Sequence, residues 1–327
     1  MVVGEGCTER MAAQALVNAL NARDEQQRRY AASAVASLAG SDDGADALCS
    51  SVGQEPLAEA LISASLLSTD SPNSDALGAL ANLCARSDCR ALAIRTAELC
   101  KPSLTDMTRH CACQSPSAHA LAALLHNLCA SPDTAHHLGE HAFDLLKLAF
   151  DTDSHRLGAL PSAAASVLQA TSARNALASK RDSACALLAR CIASSSEPEE
   201  NRTKAAECLK NQLLVDDDAR SQCIGDGDGE LVSAVKALVG SLSADSDRRD
   251  QSNDVRFASA EALLALASAS SAGRRALWHA EGPGKLQEGY KLESVQQINE
   301  LMESMAELIV QHGLTSTPEK ENASKGH

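Results

Sequence analysis

Two groups of histidine and cysteine side chains are of the types that bind zinc. The first group consists of His110, Cys111, Cys113 and His119. Imidazoles and thiolates are suitable zinc ligands, but this spacing matches neither a zinc finger nor a zinc ribbon. A loop between two helices accounts for these residues without a metal. We therefore predict no metal site here.

The second group is a run of histidines at His136, His137 and His141. A separation of four residues places His137 and His141 on one face of a helix. The metalloprotease motif also requires a glutamate directly after its first histidine, and none is present. We predict no metal site in this group either.

The acidic segment at residues 225–230 looks superficially like a calcium loop. An EF-hand requires a third acidic or amide ligand before its glycine and a glutamate five residues beyond it, and both are missing. The segment follows three aspartates, so we interpret it as an acidic turn between helices. The sequence also has no glycine-rich phosphate loop, nucleophile elbow or Cys/His catalytic pairing. We predict that the chain is not an enzyme and needs no cofactor.

A repeat organises most of the chain. An Ala/Leu-rich run, a polar loop and a second apolar run recur at residues 31–48, 76–92, 120–138, 163–177, 205–224 and 258–277. The central leucines of these copies are Leu38, Leu83, Leu128, Leu168, Leu213 and Leu266. They follow one another at intervals of about 40 to 53 residues, close to the roughly 40–47 residues of armadillo and HEAT units.

Within the copies, apolar residues recur at helical spacing, as at Leu77, Leu80, Leu83 and Cys84, and at Leu121, Leu124, Leu125 and Leu128. A single helix pair cannot cover such a face, so neighbouring pairs must stack. We predict an all-α, armadillo/HEAT-like α-solenoid, a right-handed superhelix of about six helical repeats with a concave groove. The alternative is an irregular helical bundle. The repeat domain would cover residues 1–312, with a solvated loop at 243–254 and a disordered tail at 313–327.

Charge and composition limit the classes of partner. The chain of 327 residues has 29 Lys plus Arg against 43 Asp plus Glu, a formal net charge of −14. Such a surface repels phosphate backbones, so we predict no nucleic-acid partner. Basic or mixed-charge protein surfaces are better candidates, although the acidity also serves solubility. We expect a protein partner.

The sequence contains no signal for export or for a membrane. The N-terminus has no basic region followed by an apolar one, and no stretch is apolar for the roughly 18 residues of a membrane helix. The twelve cysteines lie mostly in Ala/Leu-rich segments. We interpret them as reduced, buried small side chains, and we predict a cytoplasmic monomer without membrane contact.

Asparagines precede two of the central leucines. Asn82 stands before Leu83 and Asn127 before Leu128, while Asn211 lies near the fifth leucine. This resembles the armadillo repeat, where an asparagine at this point of the last helix faces the concave groove and hydrogen-bonds the backbone of an extended ligand. An amide can both donate to a peptide carbonyl and accept from its N–H. The alternative is an asparagine that satisfies a neighbouring loop carbonyl.

Two arginines complete the predicted partner-binding set. Arg86 lies on the loop side of its repeat and Arg256 on the helix side. A guanidinium forms charge-assisted hydrogen bonds with carboxylates, so both are candidates for contacts with an acidic partner segment. Together with Asn82, Asn127 and Asn211, they form the set that we expect in the concave groove.

The order of these features resembles one family, the HGH-type armadillo-like chaperone adaptors that help elongation factor 2 to fold. The resemblance covers residues 79–83 (ALANL), 124–128 (LLHNL), 203–213 (TKAAECLKNQL) and several steps between 254 and 309. It implies an adaptor or folding cofactor that holds a client, elongation factor 2, with the cytosolic chaperonin. Two departures are the polar segment at 243–254 and the scarcity of aromatic residues, with Trp278 at an unexpected place.

Two other functions stay open. An armadillo-type nucleotide-exchange factor for the cytosolic seventy-kilodalton chaperone would embrace a folded lobe and accelerate nucleotide release. A scaffold subunit of a larger complex would form a stoichiometric, salt-resistant assembly.

Overall fold

The computed structural model of the chain describes residues 5–66, 73–101, 117–150, 159–213, 230–269 and 271–311. Throughout these ranges the regular structure is α-helix with a few short 3₁₀ turns, and they contain no strand. The chain divides into two compact units, unit 1 at Met1–Ser179 and unit 2 at Lys180–His327. A single repeat domain over residues 1–312 stays a prediction, and the tail at 313–327 lies outside the described residues.

The helices of unit 1 are α1 (Glu5–Leu20), α2 (Glu25–Ala39), α3 (Asp42–Val52), α4 (Gln54–Leu66), α5 (Ser74–Cys84), α6 (Arg90–Cys100), α7 (Ala118–Ala130), α8 (Pro132–Leu138), α9 (Ala142–Phe150), α10 (Ala159–Val167) and α11 (Thr171–Leu177). Those of unit 2 are α12 (Arg181–Ala193), α13 (Glu199–Leu213), α14 (Glu230–Leu242), α15 (Asn253–Ala269), α16 (Ser271–His279), α17 (Gly282–Tyr290) and α18 (Gln296–Gln311).

Each unit contains a row of helices that pack side by side. In unit 1 the row is α2, α5, α7 and α10, and each of these helices packs along the next. In unit 2 the row is α13, α15 and α18. A second layer packs behind each row, with α4 against α5 and α9 against α10 in unit 1, and with α12 against α13 and α14 against α15 in unit 2. The rows are the repeated elements that the sequence predicted.

Local capping fixes where several of these helices begin. The Asp24 carboxylate accepts a hydrogen bond from the Gln27 N–H at 2.8 Å and caps α2. Asn73 caps α5 by accepting from the Asp75 and Ala76 N–H groups. Such side chains satisfy N–H groups that have no partner within the helix. The caps thus set where the row helices α2 and α5 begin.

The predicted apolar faces of α5 and α7 are buried. The leucines of both faces are Leu77, Leu80, Leu83, Leu121, Leu124, Leu125 and Leu128, and none exposes more than 1% of its surface. Helix α5 also buries Ala79 and Ala81, because it has a row neighbour on each side and α4 behind it. Burying a leucine is worth about 2 kcal/mol. These two helices are therefore the centre of the unit 1 core.

The central leucines are not equivalent. Leu83, Leu128, Leu168 and Leu266 are fully buried, but Leu38 is 36% exposed. Leu38 has the same position in the repeat but does not share this burial. Among the described residues, α2 has a row neighbour on one side only, which is α5. The side chain of Leu213 is not described.

The segment at residues 243–252 is irregular, as predicted, but it is only partly solvated. Residues 245–248 are exposed, whereas Ser243 is 2% exposed. Arg249 and Asp250 form ion pairs with Glu293 and Arg202 at 2.7 Å and 2.8 Å. The following residue, Asn253, already begins α15. The predicted solvated loop over residues 243–254 is thus only partly solvated, because ion pairs with Arg202 and Glu293 hold part of the segment against the rest of unit 2.

The described cysteines are mostly buried, in agreement with the sequence. Cys84, Cys100 and Cys129 are enclosed by the unit 1 core, and burial raises the pKa of each thiol to about 12. A thiol with such a pKa stays protonated and is a poor nucleophile. Cys49 is half-buried, and its sulfur lies 3.4 Å from that of Cys89. These cysteines act as small apolar side chains.

Candidate partner-binding surfaces

The outward side of α5 carries an exposed amide. Asp75, Gly78 and Asn82 are the positions of this helix that point away from the core, at a spacing of three and four residues. A Cβ added at Gly78 would meet nothing within 4 Å, so the surface beside Asn82 is open. Among the described residues, the Asn82 amide has no hydrogen-bond partner. Its donor and acceptor are both free to bind an external polypeptide.

Asn127 is placed differently, although its local sequence is similar. Its side-chain nitrogen donates a hydrogen bond of 2.7 Å to the carbonyl oxygen of Ala81 in α5. The same oxygen accepts the helical hydrogen bond from the Ala85 N–H at 3.1 Å. Asn127 thus ties α7 to the last turn of α5, which is the intramolecular role that the sequence left open. Its role in partner binding stays a prediction.

The side-chain nitrogen of Asn82 lies towards the end of α2, the preceding row helix, but it forms no hydrogen bond with a carbonyl oxygen there. A Cβ built at Gly40, which ends α2, would lie 4.0 Å from the Asn82 nitrogen and 3.6 Å from the Ala36 carbonyl oxygen. Ala36 corresponds to Ala81 in the repeat. The two asparagines therefore share a position, but only Asn127 is committed to an intramolecular bond.

The rest of the unit 1 row presents small and polar side chains outward. We call this surface the unit 1 row face, and it contains Tyr30, Ser33 and Ser37 of α2, Asp75, Gly78 and Asn82 of α5, His119 and Ala123 of α7, and Ser162 and Ser166 of α10. Hydroxyl and amide groups hydrogen-bond a peptide backbone, and small side chains let it approach closely. The surface is suited to an extended chain with little charge selectivity.

The row of unit 2 has a very different surface. A groove of about 590 Å³ lies between α13 and α15, and we call it the acidic groove. Its lining consists of Glu199, Glu200, Thr203, Lys204, Glu207, Asp254, Phe257, Ala258 and Glu261. Carboxylates outnumber the single lysine, and Phe257 supplies an aromatic surface. The lining is complementary to a basic, partly apolar segment.

Several carboxylates of the acidic groove already have partners. Lys204 pairs with Glu207 at 2.9 Å, and Lys210 pairs with Glu261 at 3.1 Å. Glu200 and Asp254 are exposed and form no hydrogen bond or ion pair with the described residues. An external cation would find these two carboxylates uncompensated. They are functional candidates that the sequence did not single out, since acidic residues are abundant along the whole chain.

Asn211 and Arg86 do not line the acidic groove or the unit 1 row face. Asn211 is half-buried near the end of α13. Arg86 follows α5 and forms ion pairs with Asp42 and Asp46 of α3, both at 2.6 Å, and with Asp88 at 2.8 Å. The hydrogen bond with Asp88 and the charges of the three aspartates raise the pKa of Arg86. Arg86 thus links two successive repeats, and its contact with a partner stays a prediction.

Arg256 lies inside unit 2 rather than on a surface. Its guanidinium hydrogen-bonds the Glu293 carboxylate at 2.9 Å and 3.3 Å, and it also donates to Asn253 and to the Asp250 and Gln251 carbonyls. Only 9% of its side chain is exposed. All its donors are directed to intramolecular acceptors, so the observed role of Arg256 is structural. Binding of a partner by this residue stays a prediction.

Glu293 is the centre of this buried cluster, and the sequence did not identify it. Its carboxylate also pairs with Arg249 at 2.7 Å and accepts hydrogen bonds from the Ser294 and Val295 N–H groups, both at 3.0 Å. Only 1% of the Glu293 side chain is exposed. Glu293 therefore joins the 243–252 segment and α15 to the chain that enters α18.

The histidine clusters form no metal centre in the described part of the chain. No group of three or more potential ligands is assembled there. His119 lies exposed at the start of α7, while His110, Cys111 and Cys113 lie outside the described residues. His136 and His137 contact each other edge to face, with ring centroids 6.0 Å apart. Most of the acidic turn at 225–230 also lies outside the described residues. None of the helices that the structure describes has the length and apolarity needed to cross a bilayer.

Comparisons with known proteins bear on the fold. No protein-family model matches the chain, and no curated protein matches it. An engineered protein of the Northeast Structural Genomics Consortium matches 91% of this chain and 68% of its own, with a TM-score of 0.69 and 23% identity. A chain from a structure on the phosphorylation switch that controls the interaction between cadherin and beta-catenin matches 90% of this chain, with a TM-score of 0.64 and 16% identity. This chain spans 55% of that one.

A designed armadillo repeat protein in complex with the peptide (KR)4 matches 90% of this chain, with a TM-score of only 0.44 and 15% identity. A TM-score below 0.5 supports no argument about binding. Structural matches with less than 25% sequence identity bear on the fold alone. The all-α, armadillo-like solenoid that the sequence predicted is confirmed. Membership of the HGH-type adaptors receives no support from these comparisons.

Proposed function

We propose that this chain is a non-catalytic scaffold that binds a basic segment of a partner protein in the acidic groove. The observation that carries the proposal is the pair of uncompensated carboxylates, Glu200 and Asp254, beside the aromatic ring of Phe257. A chain with a net charge of −14 attracts basic surfaces before contact. The groove would then select the segment at short range.

Each part of the groove has a task in this proposal. Glu200 and Asp254 would pair with lysine or arginine side chains of the partner. Phe257 would contact the aliphatic stem or the cation of such a side chain. The Thr203 hydroxyl would hydrogen-bond the partner's backbone. In unit 1, Asn82 would bind an extended chain in the way that the sequence suggested.

The identity of the client is proposed on resemblance alone. The HGH-type features favour elongation factor 2, held together with the cytosolic chaperonin, in the cytoplasm and by a monomer. The exchange-factor and scaffold-subunit alternatives stay open. Faster nucleotide release from the seventy-kilodalton chaperone would favour the first alternative, and a salt-resistant stoichiometric complex would favour the second.

The test compares a double variant, Glu200→Gln with Asp254→Asn, with the parent chain. Both are tagged and used to capture proteins from cytosol at moderate salt, and the captured chains are identified by mass spectrometry. The matched control is Glu55→Gln with Asp182→Asn, which removes the same charge from exposed residues elsewhere. We expect the groove variant to lose captured partners by about tenfold, since two charge-assisted contacts are removed.

Equal capture by all three chains would refute binding in the acidic groove. Recovery of elongation factor 2 or chaperonin subunits by the parent chain would support the proposed client. Stable capture of other proteins only, with the same loss in the groove variant, would keep the binding site and refute the client.

A further inference from the structure

A second groove lies in unit 2, away from the acidic groove, between α16, α17 and α18. It has a volume of about 460 Å³. Its lining is mainly apolar and consists of Trp278, Pro283, Gly284, Leu286, Gln287, Tyr290, Met302, Glu303, Ala306, Ile309 and Val310. We call it the end groove, because α18 is the last row helix that the structure describes.

The end groove concentrates large side chains that are rare in this chain. The sequence contains one Trp and two Tyr, and both Trp278 and Tyr290 line this groove. Aromatic side chains of this kind dominate the energetics of protein interfaces. Val310 is 63% exposed and Tyr290 is 39% exposed, whereas Leu286 and Met302 form a buried floor. The groove has both a floor and an open apolar rim.

Helix α18 packs along only one of the described row helices. Among the described residues, α15 is its row neighbour on one side, and no helix follows on the other. Helix α18 exposes Ala306 and Val310 beside the groove, whereas its other exposed positions are polar. These two side chains extend the apolar lining of the groove onto the surface of α18.

The rim of the groove is acidic along one side. Glu300, Glu303 and Glu307 follow one another at a spacing of three and four residues, so they form one stripe on α18. The helix has no lysine or arginine. Glu303 accepts a hydrogen bond from the Tyr290 hydroxyl, which fixes the ring at the edge of the groove. The stripe is complementary to basic side chains.

We infer that the end groove docks an amphipathic helix of a partner protein, with apolar side chains in the groove and lysine or arginine side chains against the acidic stripe of α18. Helices commonly bind in this way, with anchors at i, i+3, i+4 and i+7. The floor of Leu286 and Met302 would receive the anchors, and Trp278 would lose its contact with water. This surface is separate from the acidic groove of the proposed function.

Two other occupants fit the chemistry less well. Residues 312–327 contain only one large aliphatic side chain, Leu314, which is too few to fill a groove of this size. A second copy of the chain that docked its own α18 would bring two acidic stripes together, and like charges repel. A basic helix from another protein meets neither objection.

The test uses Trp278, since it is the single tryptophan of the chain and lies in the groove. The probe is a synthetic peptide of leucine and lysine, about 18 residues or five helical turns long, with leucines at helical spacing. A peptide of the same composition in scrambled order is the first control, and a leucine–glutamate helix is the second. We expect only the helical lysine peptide to shift the Trp278 emission to the blue.

Two variants locate the binding. Ala306→Glu with Val310→Glu places charges on exposed positions of the apolar rim, and we expect at least a tenfold loss of affinity. Glu300→Gln, Glu303→Gln and Glu307→Gln together should weaken binding and reduce its dependence on salt. The matched charge control is Asp43→Asn, Glu55→Gln and Asp182→Asn, which should bind as the parent does. Circular dichroism confirms that each variant is folded.

Several results would overturn the inference. They are an unchanged Trp278 emission, equal binding of the scrambled peptide, or an equal loss in the charge control. A red shift of the free chain's emission after truncation at Gln311 would identify its own tail as the occupant. A concentration-dependent mass that Val310→Glu abolishes would identify a second copy. The Trp278 shift must also persist in the Glu200→Gln, Asp254→Asn variant, which separates this inference from the proposed function.

Discussion

The two units join successive repeats with arginine-centred clusters that differ in burial. In unit 1, Arg86 bridges to Asp42, Asp46 and Asp88, whose side chains are 57% to 95% exposed. In unit 2, Arg256 and Arg249 share Glu293, which is 1% exposed. The first cluster is screened by water and salt, whereas removal of one charge from the second leaves others uncompensated. A similar sequence signal, an arginine at the edge of a repeat, thus has two different energetic consequences.

The largest expected effect is that of Glu293→Gln. The substitution leaves the buried guanidinium of Arg256 and the half-buried one of Arg249 without their carboxylate, and we expect a loss of about 3–5 kcal/mol in the free energy of unfolding of unit 2. Urea unfolding followed by Trp278 emission measures it, since that tryptophan lies in unit 2. The control is Glu300→Gln on exposed α18, for which we expect a change within about 0.5 kcal/mol. Equal effects of the two substitutions would show that the buried cluster contributes no more than a surface charge.

The same cluster predicts acid sensitivity of unit 2. Burial alone would raise the pKa of Glu293, but the hydrogen bonds from Arg256 and the Val295 N–H and the charges of Arg256 and Arg249 hold this pKa below its ordinary value. The unfolded chain therefore binds a proton at higher pH than the folded one does. The contribution is complete above the unfolded pKa of about 4.3 and is lost as the pH falls through the folded pKa.

We expect unit 2 of the parent chain to lose urea stability as the pH falls below about 4.5. The measurement is a series of urea titrations by Trp278 emission between neutral and acidic pH. In Glu293→Gln this part of the pH dependence should be absent. The same slope in both chains would assign the acid sensitivity to other carboxylates.

An intermediate effect is expected for the asparagine of unit 1 that has an intramolecular partner. Asn127→Ala removes the hydrogen bond to the Ala81 carbonyl, so we expect a loss of about 1 kcal/mol in stability. Asn82→Ala should change stability by less than about 0.5 kcal/mol, because its amide is exposed. Thermal unfolding by circular dichroism compares them. Partner capture should weaken with Asn82→Ala, and a large stability loss in that variant would argue against a binding role.

The smallest effect is expected for Arg86→Gln. Its aspartate partners are mostly exposed, so the melting temperature should fall slightly at low salt and hardly at all in about 1 M salt, where the Debye length is near 3 Å. Circular dichroism melting at both salt concentrations measures the difference. Arg23→Gln, at an exposed arginine without an ion pair among the described residues, is the control. A large, salt-independent loss would place the Arg86 cluster in the same class as that of Glu293.

The sequence predicted those parts of the structure that depend on local periodicity. The apolar faces of α5 and α7 follow from leucines at helical spacing, and stacking follows from the need to cover them. The exposure of Leu38 depends on which helices are neighbours, and no local pattern contains that information. The copies found in the sequence also span the loop between a row helix and the next helix. That loop and the residues beside it have the most recognisable sequence pattern of the repeat.

The candidate site was less predictable than the fold. Arg256 looked like a surface residue because its partner, Glu293, is 37 positions away in the sequence. Asn82 and Asn127 have nearly the same neighbours in the sequence, yet only Asn127 reaches a carbonyl oxygen, since that bond depends on how closely two helices approach. Glu200 and Asp254 are candidates because both line the same groove and neither has an ion-pair partner among the described residues. Their position in one groove depends on how α13 and α15 pack, which a local sequence pattern does not contain.

The bonds that join neighbouring repeats have a consequence for how the chain folds during synthesis. Arg86 is 44 residues from Asp42, and Arg202 is 48 residues from Asp250. The entropy of loop closure grows slowly with length, and a nascent chain folds from its N-terminus as it emerges from the ribosome. The partners in these two pairs are therefore synthesised within about one repeat length of each other, so both contacts can form before the C-terminal part of the chain has emerged.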